Sequence, residues 1–249
     1  GFSREEVNEL IEYYREKAMV KDSTQYLLTI MNLWYGNYLF SVHDDVSLFN
    51  SDMVLYFMEN YLSSKHLPDE LIDRNVRMDY GKLRHLLLID RDETMPPSTN
   101  GNFSRLKQIL RDGSIESDIV QGFPVEEMQR PGNFNSLLFF FGLLTISGVE
   151  GSLYRLKIPN ETVKRLYFDY ISDAYRETGV FSIDLSEYAV LMNKMAFKGA
   201  WEPLFRFITL RMRESLALRD LITGEKAVQA FLNVYLGLSD LFIVHAEKE

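Results

Sequence analysis

The tightest constraint in this sequence is a helical stripe that follows directly on a strand pattern. Val163, Leu166, Tyr167, Tyr170, Ile171 and Ala174 recur at the three- and four-residue spacing of one helix face. Just upstream, Pro159 lacks a backbone donor and Asn160 offers a side-chain acceptor, so the pair stops a strand and caps the helix. Before them, Ile146-Ser147, a turn over 148–151 and the run 153–158 read as a β-hairpin. The apolar run 136–145 ahead of it reads as a buried helix. A core made of Leu138, Phe141, Leu144, Leu156, Ile158, Leu166 and Tyr170 is expected where these periods meet. The fold class is therefore mainly α with a small β-hairpin: a winged-helix-like region plus a helical connector.

Helical periodicity dominates elsewhere. A helix is expected over 3–18, with Ser3 and Glu6 as a capping box and Phe2 against Val7 as a hydrophobic staple. Others are expected over 24–34, over 51–62 after the Asn50-Ser51 cap, and over 71–89 with a break near Gly81. Pro96, Pro97 and Gly101 mark 90–102 as an exposed loop. Helix 103–111 ends at Gly113, and the alternation of Ile115, Ser117 and Ile119 predicts a short strand. Helices over 185–197, capped by Asp184 with Glu187, over 201–222 and over 224–237 lead to a terminal apolar β-run, Leu241-Phe242-Ile243-Val244-His245.

Composition removes several classes of chemistry. With no cysteine, disulfides, thiolate metal sites and cysteine nucleophiles are excluded. Lys plus Arg number 27 against 36 Asp plus Glu, a net charge of −9, which does not fit a general nucleic-acid coat. No apolar run approaches the about 20 residues of a membrane span, and the opening residues, with no basic and apolar leader pattern, predict no signal peptide. No membrane partner and a cytoplasmic location are expected.

Motif chemistry is sparse. There is no phosphate-binding glycine loop of the G-x-x-x-x-G-K-[S/T] or G-x-G-x-x-G kind, and no G-x-S-x-G. His43, His66, His85 and His245 are too dispersed to pair on a metal. His43-Asp44-Asp45 reads as a turn with Asx-type bonds, and Asp90-x-Asp92 runs into Pro96-Pro97 where a calcium loop needs glycine. Arg206, Arg211, Arg213 and Arg219 read as a solvated helix face. Trp34-Tyr35-Gly36-Asn37-Tyr38-Leu39-Phe40 reads as core packing at a helix end, with a binding platform as its alternative.

Several segments together resemble a bacterial family of AAA-ATPase-like proteins with a C-terminal PD-(D/E)XK nuclease-like domain. The opening Gly1-Phe2-Ser3-Arg4-Glu5-Glu6-Val7 resembles the segment after that family's ATPase core. Residues 34–40 resemble its Trp-Tyr-x-Gly-Tyr-x-Phe signature, with Gly and Asn out of the usual order. Leu48-Phe49-Asn50-Ser51 followed by Val54, Leu55 and Phe57 is similar to its Tyr-Asn-Pro helix start, with Ser51 in place of Pro. Phe139-Phe140-Phe141-Gly142-Leu143-Leu144-Thr145 and Leu156-Lys157-Ile158-Pro159-Asn160 resemble its winged region, and 224–249 the start of its nuclease-like domain.

The resemblance implies a middle fragment: residues 1–30 as lid-side helices, 31–178 as a winged-helix-like domain, 179–222 as a helical connector and 223–249 as a nuclease-domain stub. The phosphate loop is then expected upstream of Gly1, and the Asp and (D/E)-x-K pair downstream of Glu249. Glu225 is the one candidate remnant of a nuclease site, and the helix dipole explains it equally well. No cofactor is expected in this chain; ATP and Mg²⁺ belong to the parent by resemblance. The implied partners are the upstream ATPase core and the downstream nuclease-like domain, with a homo-oligomer and nucleic acid for the parent left open. Three readings follow: a non-catalytic module coupling the two domains, a DNA-contacting winged-helix segment, or a helical interaction protein using 34–40. A basic stripe beside 153–157 would favour the second.

Overall fold

The computed structural model describes residues 1–44, 46–73, 101–124, 127, 130–177, 185–214, 232 and 236. Its elements run α1 (Arg4–Glu16), α2 (Thr24–Tyr35), α3 (Ser51–Ser64), α4 (Gly101–Asp112), β1 (Ser114–Ser117), α5 (Pro131–Phe140), β2 (Thr145–Glu150), β3 (Leu153–Lys157), α6 (Glu161–Glu177), α7 (Leu185–Lys198) and α8 (Trp201–Glu214). The chain is mainly helical, with one three-stranded antiparallel sheet ordered β1-β3-β2. It divides into two compact units: Gly1–Leu87 with Gly113–Leu166, and Leu88–Asp112 with Tyr167–Glu249.

In the first unit, local chemistry sets the helix starts. The Ser3 hydroxyl accepts from the Glu6 N–H at 3.2 Å while the Glu6 carboxylate accepts from the Ser3 N–H at 2.7 Å, the expected capping box. Asn50 accepts from the Met53 N–H at 3.1 Å, and Asn160 from the Val163 N–H at 3.2 Å. Val7 and Ile11 of α1, Leu27 and Met31 of α2, and Met53, Val54 and Phe57 of α3 share one buried core. Tyr61 closes it, its hydroxyl donating to the Asp22 carboxylate at 2.6 Å.

The sheet is built around Leu156, which lies opposite Ile115 on β1 and Ile146 on β2 and is wholly buried. The hairpin differs from expectation in register. Gly148 lies inside β2 and the reversal falls at Gly151, which takes φ +61°. A register shift between Ile146 and Gly148 accommodates Ser147, whose hydroxyl donates to the Arg155 carbonyl at 3.1 Å. The helix before it also shifts. Pro131 pre-sets the first turn of α5, and Gly142 at φ +69° ends the turn after it, so 141–145 is not helical. Phe141 is consequently half exposed, a correction to the expected core, and Ile158 is only partly buried; Leu138, Leu144, Leu156, Leu166 and Tyr170 are buried.

In the second unit, Leu106 and Ile109 of α4 are wholly buried. The α7–α8 pair is an antiparallel helical hairpin joined by Gly199-Ala200, with Tyr188 against Phe207 and Arg211 bridging Glu187 at its base. Helix α6, which starts in the first unit and continues in the second from Tyr167, bears out the strongest stripe: Val163, Leu166, Tyr167 and Tyr170 are all buried. The side chains of Ile171 and Ala174 lie outside the described residues, as do Gly81, Asp90, Asp92, Asp184, Arg219, the run 241–245 and most of the expected helices over 71–89 and 224–237; Leu232 and Leu236 are described and helical. Residues 71–73 are described and are not helical. No helix among the described residues is long and apolar enough to cross a membrane.

Candidate interaction face

The segment 34–40 works as a latch. Trp34, Tyr35 and Tyr38 are buried, so the core-packing reading holds for these three. Gly36 is demanded by close approach, because a Cβ there would stand 2.9 Å from the Asn32 carbonyl oxygen. Asn37 takes the left-handed region at φ +66°, and its amide donates to that same carbonyl at 3.1 Å. The Gly36-Asn37 pair thus places one residue for close packing and the next for the turn.

From this turn the segment bonds in two directions. Tyr38 exchanges backbone bonds with Leu48 at 3.0 and 2.7 Å, next to the Phe2–Phe49 bridge that ties in the start of the chain. On the other side, the wholly buried Thr145 hydroxyl accepts from the Leu39 N–H at 2.6 Å and donates to the Leu39 carbonyl at 3.0 Å. That carbonyl also accepts from the Ile146 N–H at 3.1 Å, while the Asn160 amide donates to the Gly36 carbonyl at 2.9 Å. One short segment therefore joins the three N-terminal helices to β2 and to the cap of α6. The buried Arg165 guanidinium stacks over the Trp34 ring, 4.8 Å from its centroid, reinforcing the α6 connection.

Phe40 leaves the latch and is 49% exposed. It stacks on Tyr38 at 6.0 Å and meets the edge of Phe139 at 5.9 Å, which in turn meets Phe140 at 5.5 Å. The outcome is a four-ring ladder, Tyr38–Phe40–Phe139–Phe140, in which the buried Tyr38 and Phe139 alternate with Phe40 and the 52% exposed Phe140 at its surface. The Phe139–Phe141 run carried a sequence signal for this exposure. Three successive helical residues span about 200° of arc, so a single buried face cannot take all three. What the sequence did not reveal is the pairing of that run with Phe40, a hundred residues away.

Other singled-out residues do not converge. In the turn at 41–44 the His43 N–H donates to the Ser41 hydroxyl at 3.1 Å; Asp45, and with it part of the expected Asx bonding, lies outside the described residues. Arg206 pairs with Glu202 at 2.9 Å on an exposed face, and Arg211 lies 3.9 Å from Glu187; the Arg213 side chain lies outside the described residues. Glu225, His85 and His245 also lie outside them. On the hairpin, Arg155 pairs with Glu150 across the turn and lies 3.9 Å from Glu116 of β1. Among the described residues no group of three metal-ligating side chains converges. Comparison with protein-family models, curated proteins and solved structures finds no match to the chain.

Proposed function

We propose that the chain is a non-catalytic coupling segment of an AAA-ATPase-like protein, transmitting between an upstream ATP-binding core and a downstream nuclease-like domain. The observation that carries this reading is the latch. A partner seated on Phe40 and Phe140 touches a segment hydrogen-bonded at once to the N-terminal helices, to β2 and to the α6 cap. Exposed aromatic rings over a fixed base are a suitable docking face, because ordering them on binding costs little entropy. A winged-helix-like reading within 31–178 is supported by the order strand, helix, hairpin over 114–157 and by a sheet ordered β1-β3-β2.

The DNA-contacting alternative draws less support. The wing's Arg155 is engaged by two glutamates, which leaves Lys157 as the cation on β3 without an ion-pair partner among the described residues. The test is made in the longer protein that this reading requires. Phe40→Ser with Phe140→Ser should leave ATP hydrolysis intact while removing the response of the nuclease-like domain to nucleotide. Unchanged coupling would reject the docking face. Flanking coding sequence lacking a phosphate loop upstream and an Asp with a (D/E)-x-K pair downstream would reject the parent.

A further inference from the structure

We infer that the tip of the α7–α8 hairpin is an interfacial contact for an anionic lipid surface. Phe197, at 75%, and Trp201, at 61%, are the most exposed large apolar side chains among the described residues. They flank a reversal only two residues long, where Gly199 takes φ +66° and its N–H bonds the Met195 carbonyl at 3.1 Å, ending α7 in a left-handed cap. The two rings therefore stand at a convex end of the hairpin.

Charge at this end is opposite to that of the whole chain. Lys194 and Lys198 are exposed one helical turn apart on either side of Phe197, and neither has an ion-pair partner among the described residues. The nearest acid in sequence, Glu202, is taken by Arg206 at 2.9 Å. A chain of net charge −9 thus presents two uncompensated cations beside its two most exposed rings. Indole and phenyl rings partition into the headgroup region, and lysine stems lie along apolar surface while their ammonium groups reach lipid phosphates. A nucleic-acid strand would need a longer track of cations than this tip offers. The contact is peripheral, belongs to the second unit, and departs from the expectation of no membrane partner.

The test uses the whole chain with vesicles of phosphatidylcholine alone or mixed with phosphatidylserine. Binding to the mixed vesicles, weakened by salt and at least tenfold tighter than to phosphatidylcholine, is expected. Trp34 is buried, so the blue shift and brominated-lipid quenching that accompany binding report Trp201. Lys194→Ala with Lys198→Ala should lower partitioning about thirtyfold. Phe197→Ser with Trp201→Ser should abolish binding measured by co-sedimentation with the vesicles while the circular dichroism spectrum stays unchanged. Absence of binding to the mixed vesicles, binding that survives both double substitutions, or binding of single-stranded DNA in place of vesicles would overturn the assignment.

Discussion

At position 145 a threonine is wholly buried and satisfies both backbone groups of Leu39. Valine there keeps the shape and removes the hydroxyl, stranding the Leu39 N–H, while the Leu39 carbonyl retains its bond from Ile146. Thr145→Val should therefore cost about 1–3 kcal/mol in denaturant unfolding, with most of the loss recovered by Thr145→Ser. A second residue-scale effect is alkaline. Burial raises the Tyr35 and Tyr38 hydroxyls above their ordinary value of 10.0. Both stay neutral in the fold at pH values where the unfolded chain ionises. Their contribution is complete below pH 10 and falls as pH rises above it. Tyr35→Phe loses the bond to the Leu71 carbonyl at 2.7 Å, so it should be less stable at neutral pH and show a shallower alkaline decline in melting temperature. A decline as steep as that of the parent would show that Tyr35 is not held neutral.

Among the elements, α6 is the most predictable, because its information is local. Pro159 and Asn160 set its start, and the stripe through Leu166 sets its buried face. Leu166→Ala should cost about 2–5 kcal/mol by urea denaturation, and a loss below about 0.5 kcal/mol would mean that the stripe does not face a core. The capping box of α1 and the Asn50 cap of α3 were legible for the same reason. Helix α5 ends before the point that periodicity predicts, because its apolar run continues past its true end. Gly142 in the left-handed region stops the helix, whereas periodicity carries it on to Thr145. The hairpin was found but shifted, since Gly148 and Gly151 are equivalent turn signals until the register against β3 decides between them. For residues 34–40 the sequence offers core packing or a binding platform, but not the latch. Its partners Thr145 and Asn160 lie more than a hundred residues away, and no local pattern states that pairing.

The whole molecule is built from two units that are each discontinuous in sequence, so the chain passes between them at 87/88, 112/113 and 166/167. Each unit has its own wholly buried side chains: Leu144 and Leu156 in the first, Leu106 and Leu204 in the second. A large-to-small change in a core removes packing around that site first, and proteins open in cooperative sub-units rather than uniformly. Leu144→Ala should therefore speed hydrogen exchange in α1–α3 and in the sheet, while α7 and α8 keep their protection. Leu204→Ala should do the reverse. Each change is expected to lower the opening free energy of its own unit by about 2–5 kcal/mol. Exchange measured by mass spectrometry on both variants, peptide by peptide, decides the matter. If either variant raised exchange equally in both units, the chain would unfold as one cooperative body, and the division into two cores would have no energetic meaning.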